Sequence, residues 1–239
     1  MGVRQTMGLY LADINNTTRL GIGEISLAFA FSQLLWGLAQ PVAGAVADRF
    51  GSGRVIVAGL ILIMIGMLLT PLMTSTLGLI VTVGVLAAGG AGMAGPSVLM
   101  GVAAQVIPAK RLGMAAGIVN AGGSFGQFTM APLAIGLTLG FGWQISMQSL
   151  GMLMLLAFPV VWFLRTKPKG FVLNKQVLNA PVLKTLTTKE ALKNAISTPS
   201  YRYLAIGFLI CGFHIAFLAT HLPGIITHCG LVISIDWSI

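Results

Sequence analysis

Six long apolar runs follow one another along the chain, and short polar segments separate them. A run of about 20 apolar residues is the length that an α-helix needs to cross the hydrocarbon core of a bilayer. None of the runs alternates apolar and polar residues, as a membrane β-strand would. The pattern therefore predicts an all-α integral membrane protein with six transmembrane spans, at about residues 25–47, 55–73, 77–106, 114–138, 146–164 and 203–226.

The third run is longer than a straight membrane helix needs to be. Its middle, residues 89–96, reads GGAGMAGP. Glycine and proline are the residues at which membrane helices bend or lose regular hydrogen bonds. The sequence therefore predicts a bent or locally loosened helix here.

Composition supports the membrane assignment. Only 8% of the 239 residues are charged, whereas soluble domains have about 25%. Hydrophobic residues make up 56% of the chain, and the mean hydropathy is +0.93. The histidine, cysteine and acidic residues are scattered without metal-ligand spacing, and no phosphate-binding loop is present in the sequence. We expect membrane lipid as a partner, and neither a metal nor a cofactor.

The basic residues give the orientation. Twelve of the fourteen lysines and arginines lie in three alternate polar segments, at residues 49–54, 110–111 and 165–202. The intervening segments at 74–76 and 139–142 have none. Because cytoplasmic loops are enriched in lysine and arginine, these three segments are predicted to face the cytoplasm from the plasma (inner) membrane. The net charge of +9 thus reflects topology, and we expect no nucleic-acid partner.

A charged hairpin joins the first two runs and reads GAVADRFGSGR. Its charges belong at the membrane surface, because a charge at the bilayer centre costs about 2.5–3.5 kcal/mol on the insertion scale. The pattern G-x-x-x-D-R-x-G-x-x-R is met by Gly44, Asp48, Arg49, Gly51 and Arg54. It resembles the loop signature between the second and third helices of the major facilitator superfamily, a class of secondary transporters. The resemblance implies a cytoplasmic gating latch, and a protein that is not an enzyme.

Asp48 ends a predicted helix, where the helix dipole does not favour an acid. We therefore expect it to pair with Arg49, with Arg54 or with the N-terminus of a neighbouring helix. The alternative is a plain topogenic turn that has no gating role.

Two further segments are similar to one subgroup of that superfamily. Residues 110–133 resemble the fifth helix of monocarboxylate porters and oxalate:formate antiporters, and residues 207–226 resemble their seventh helix. The resemblance implies transport of a small, monocarboxylate-like organic anion by proton symport or exchange. The superfamily usually has an arginine in its fourth helix. The corresponding segment here, residues 86–92, has no charged residue.

The hairpin and the long basic segment align the six spans with helices two to seven of a twelve-helix transporter. Residues 1–11 then resemble the tail of helix one. The predicted organisation is an N-terminal half-bundle at 1–165, a cytoplasmic basic linker at 166–202, and the first span of the second half at 203–239. We interpret the chain as a truncated or frameshifted, partial bundle and expect little transport from it alone. A fragment that pairs with a separately encoded second half is the alternative.

Polar residues within the predicted helices are the candidates for a substrate or proton pathway. Arg4 could bind a carboxylate through two N–H groups if it lies in a membrane helix. Gln33 and Gln40 share one helix face, as do Asn120 and Gln127. Each pair either joins neighbouring helices by hydrogen bonds or lines a watery path.

His214 and His221 are also seven residues apart in the last span. Imidazole titrates near neutral pH, so an intramembrane histidine is a candidate proton carrier. Either one could instead hydrogen-bond a neighbouring helix. His221 lies nearer the outer end of the span, which makes His214 the stronger candidate.

One alternative comes from the enzyme class. The segment GGSFG at residues 122–126 matches G-x-S-x-G, and a histidine follows in the last of the six spans, an arrangement similar to six-helix intramembrane serine proteases. Those enzymes have glycine directly after the serine, whereas Phe125 stands here. No oxyanion-stabilising group is evident in the sequence either, so the transporter interpretation is preferred.

Overall fold

The computed structural model describes residues 2–163, 194 and 196–228. These residues form helices joined by short turns, and no strand occurs among them, which confirms the all-α class. The described residues fall into two compact units, 2–163 with 220–228 in one and 194 with 196–219 in the other. Most of the predicted basic linker and residues 229–239 lie outside the described residues.

The N-terminal segment is helical, as the resemblance to a tail of helix one implied. It consists of α1 (Gly2–Gln5), a 3₁₀ turn (Thr6–Tyr10) and α2 (Leu11–Thr18). The helix thus continues seven residues beyond the predicted end at residue 11. The hydroxyls of Thr17 and Thr18 donate to the carbonyl oxygens of Asp13 and Ile14, so polar side chains are satisfied within the helix and do not end it.

The charged hairpin joins two helices, as predicted, but both helices extend into it and leave a break of a single residue where residues 48–54 were expected to separate them. Gly51 separates helix α3 (Ile22–Phe50) from helix α4 (Ser52–Leu69). Helix α4 continues as a 3₁₀ turn to Leu72. Gly51 has φ 91°, and its N–H donates to the Ala47 carbonyl oxygen at 2.9 Å. This left-handed conformation gives a physical reason for glycine at this position of the motif.

Replacing Gly51 with alanine should lower the stability of the hairpin by about 1–2 kcal/mol, because a Cβ disfavours the positive φ. Thermal unfolding in detergent, followed by circular dichroism, measures the change. The matched control is Gly37→Ala in α3, where nothing lies within 4 Å of an added Cβ. A G51A protein that unfolds at or above the wild-type temperature would contradict this prediction.

The third predicted span is broken within the segment of glycines and proline, as predicted, and its π-helical part lies just before that segment. It consists of α5 (Thr76–Leu79), a π-helix (Ile80–Ala88), α6 (Gly89–Met93) and α7 (Pro96–Val106). Regular helix stops at residues 94 and 95, and Pro96 begins the next helix, where its missing N–H costs nothing. The prediction of a loosened helix is confirmed.

The fourth and fifth predicted spans form a helical hairpin that the N-terminal segment contacts. The hairpin consists of α8 (Leu112–Phe141), α9 (Trp143–Leu153), a 3₁₀ turn (Met154–Leu156) and α10 (Ala157–Phe163). Buried Ser146 donates to the Ala134 carbonyl oxygen at 3.0 Å, so the Tyr10 hydroxyl donates to Ser146 at 2.8 Å. The Trp143 indole N–H donates to Thr17 at 3.1 Å. These bonds fix the N-terminal segment to α9, which Ser146 in turn joins to α8.

The last helix, α11 (Pro199–His228), begins four residues before the predicted span. The Thr198 carbonyl oxygen accepts from the N–H groups of Tyr201 and Arg202, and Pro199 occupies the first helical position, so the helix starts within the basic segment.

Among the described residues, four helical stretches are long and apolar enough to cross a membrane, and they correspond to the first, second, third and sixth predicted spans: Ile22–Phe50, Ser52–Leu72, Thr76–Ala103 and Pro199–Leu218.

Candidate functional site

Arg4 is held against the first predicted span. Its Nη1 donates a hydrogen bond of 2.6 Å to Gln33 Oε1, which joins two of the predicted pathway residues from positions 29 apart in the sequence. Arg4 reaches this place because α1 lies close to α8. A side chain at Gly2 would collide with the Gly126 carbonyl oxygen, so the two helices approach through glycine at this point.

Trp36 completes the surroundings of the Arg4 guanidinium. The Arg4 Cζ atom lies 4.2 Å from the centroid of the Trp36 ring, within the range of a cation–π interaction. Sequence reasoning did not select Trp36. Its position three residues after Gln33, on the same helix face, was the available signal.

The polar atoms left without partners at this place are donors. Arg4 Nε and Trp36 Nε1 are buried and have no hydrogen-bond partner among the described residues. In that same part of the chain, Arg4 forms no ion pair with Asp13, Glu24 or Asp48. A buried cation without a counter-charge is costly, and an anion that accepts hydrogen bonds would relieve the cost. The electrostatics of the site therefore suit an anion.

A cavity of about 130 Å³ lies beside Arg4. Apart from Arg4 its lining is apolar and comes from five helical elements and the 3₁₀ turns: Gly2, Val3, Met7, Ile63, Met67, Ala87, Ala91, Gly126, Met130 and Met154. A cation at the edge of an apolar cavity can hold a ligand that has one charged end and one apolar end.

The other predicted pathway residues of the first and fourth spans do not line this cavity. Gln40 and Gln127 are half-buried, and Asn120 is exposed. None of the three side chains hydrogen-bonds another helix within the described part of the chain. Among the described residues, no hydrogen bond therefore supports the interpretation that Gln40, Asn120 and Gln127 join neighbouring helices.

The expected partner of Asp48 is not found among the described residues. Asp48 and Arg49 are exposed at the end of α3, Arg54 is exposed in the first turn of α4, and no ion pair joins them in the described structure. Arg49 follows Asp48 directly, so their side chains leave the helix in different directions. An exposed carboxylate is hydrated and needs no protein partner.

The hydrogen bond of His214 indicates which ring nitrogen donates. Its Nδ1 lies 3.0 Å from the Ile210 carbonyl oxygen one turn earlier in α11. A carbonyl oxygen only accepts, so Nδ1 carries the proton and Nε2 is the basic nitrogen. The side chain of His221 lies outside the described residues.

Ser124 of the protease-like motif is exposed in the middle of α8, where the chain makes no strand-to-helix elbow of the hydrolase type.

Apolar helices, a glycine-broken charged hairpin and, beside a cavity, a half-buried arginine that has no acidic partner among the described residues are features of a polytopic membrane transport protein. The chain belongs to the Major Facilitator Superfamily, whose family model matches residues 1–236. This match confirms the resemblance at the level of the superfamily, a family of membrane transporters. No curated protein matches the sequence.

Proposed function

We propose that this protein takes part in secondary transport of a small, monocarboxylate-like organic anion, and that Arg4 binds the carboxylate. The observation that supports this most directly is the half-buried Arg4 guanidinium. It lies beside a cavity, its Nε is buried, and it has a hydrogen-bond partner in Gln33 but no acidic partner among the described residues. A guanidinium is the side chain best suited to bind a carboxylate through two parallel hydrogen bonds.

The distribution of charge favours a singly charged anion. Arg4 is the one charged residue among the described residues that line the cavity, and Trp36 adds a neutral donor nearby. A cationic ligand would be repelled by Arg4. A neutral ligand would leave the arginine without a counter-charge, and a second anionic group would enter an apolar lining at a high desolvation cost.

The proposed transport is coupled by proton symport or by exchange. In the symport form, His214 Nε2 accepts the coupling proton, since Nδ1 is already protonated. The hairpin residues Gly44, Asp48, Arg49, Gly51 and Arg54 form the cytoplasmic gate, with the basic loops on the cytoplasmic side of the plasma membrane.

Isothermal titration calorimetry on the full chain in lipid nanodiscs tests the anion site directly, because binding reports on the site without requiring flux. We expect saturable binding of lactate. The matched controls are lactamide, which is neutral and nearly the same shape, and choline, which is cationic. Equal binding of lactate and lactamide, or no binding of any short-chain monocarboxylate, would refute the proposal.

A further inference from the structure

Four methionines, Met7, Met67, Met130 and Met154, line the Arg4 cavity, and each belongs to a different helical element. Methionine side chains are unbranched and polarizable, so they adapt their shape to an apolar ligand. Met67 is completely buried, and Met7 is 5% exposed, so this wall belongs to the protein core. The chemistry of the lining fits an aliphatic group.

The size of the cavity limits that group. Its volume is about 130 Å³. An apolar cavity of roughly 150 Å³ in another protein stays dry and binds benzene, a six-carbon ligand. The Arg4 cavity is therefore large enough for a short hydrocarbon chain and too small for a long one.

We infer that the methionine-lined cavity receives the aliphatic tail of a short-chain monocarboxylate whose carboxylate binds Arg4, with the best fit at about four carbons. The inference rests on the proposed function and adds a chain-length preference to it. Formate has no tail to fill the cavity. Oxalate would place its second carboxylate against methionine, valine and isoleucine, where no cation compensates it.

Calorimetric titration of the full chain with formate, acetate, propionate, butyrate, hexanoate and octanoate tests the preference. We expect binding to tighten about fourfold per added methylene up to butyrate, as burial of each methylene predicts. Binding should then weaken for hexanoate and further for octanoate. Oxalate should bind at least as weakly as formate.

Two variants should move the optimum in opposite directions. Ala91→Val enlarges a lining side chain, which makes the cavity smaller, and should shift the optimum to a shorter acid. Met130→Ala shortens a lining side chain, which makes the cavity larger, and should shift the optimum to a longer acid. The matched control is Met152→Ala, because Met152 is 53% exposed and does not line the cavity. Its optimum should equal that of the wild type.

The outcomes separate this inference from the proposed function. Affinity that does not depend on chain length, or an optimum that neither variant moves, overturns the inference but leaves carboxylate binding at Arg4 intact. If Ala91→Val does not fold, Met130→Ala alone decides. If the wild-type chain binds no carboxylate of the series, the proposed function fails, and the inference fails with it.

Discussion

Replacing Arg4 with glutamine should weaken monocarboxylate binding by about 100-fold or more. Removal of one partner from a buried charge pair costs about 3–5 kcal/mol, and each 1.4 kcal/mol is a factor of ten in affinity. Arg4→Lys should retain part of the affinity, because it keeps the charge but loses the planar pair of donors. Calorimetry with a short-chain monocarboxylate in nanodiscs measures both effects.

A second measurement distinguishes a binding role of Arg4 from a folding role. Without ligand, R4Q should unfold at the wild-type temperature or above it, because the variant removes a buried cation whose Nε has no partner among the described residues. The matched control is Arg19→Gln, since Arg19 is exposed and distant in sequence from the cavity lining. R19Q should bind like the wild type. An R4Q protein that keeps full affinity would show that the carboxylate binds elsewhere.

The sequence predicted the helices because the length and glycine content of an apolar run report directly on membrane helices. The charged hairpin and the break within the third span followed from local residue types alone, whereas the exact position of the first break, at Gly51, did not. The extension of the N-terminal helix to Thr18 was not predicted, because the end of the helix was placed where the apolar residues stop. The hydroxyls of Thr17 and Thr18 bond to carbonyl oxygens of the same helix, so these polar residues can continue it.

The site was predictable only in part. Arg4 and Gln33 were each candidates because polar residues in apolar runs are rare. Their contact with each other, and the position of Trp36 under the guanidinium, depend on how far each helix is rotated and how closely α1 approaches α8. Those quantities arise from packing between distant segments, and no local pattern encodes them. A partner was expected for Asp48 because the dipole of its helix disfavours an acid there, but the described structure leaves the side chain exposed.

Glycines also allow two other helices, α4 and α6, to cross closely next to the cavity lining. A Cβ at Gly90 would lie 2.6 Å from the Gly59 carbonyl oxygen, and a Cβ at Gly59 would lie 2.6 Å from the Gly90 carbonyl oxygen. These distances are too short for real Cβ contacts, and the neighbouring atoms belong to the backbone, which cannot move aside cheaply. The two backbones can therefore cross here only without side chains.

Gly90→Ala should lower the free energy of unfolding by about 1–3 kcal/mol, the usual cost of overpacking. Gly101→Ala in α7 is the matched control, because nothing lies within 4 Å of an added Cβ there. It should be neutral or stabilise the helix by up to about 1 kcal/mol. Unfolding by dodecyl sulfate titration, followed by circular dichroism, measures both.

The double variant Gly59→Ala/Gly90→Ala sharpens the test. Both added methyl groups enter the same crossing. Once the helices have moved apart to admit the first methyl group, the second should lower the free energy of unfolding by less than it does in the single variant. Strictly additive losses, or a G90A protein as stable as G101A, would mean that the crossing is not limited by backbone contact. Ala91 lines the cavity and directly follows Gly90. When α4 and α6 move apart, Ala91 should therefore move as well, and monocarboxylate binding should weaken. The packing of α4 against α6 is thereby linked to the site.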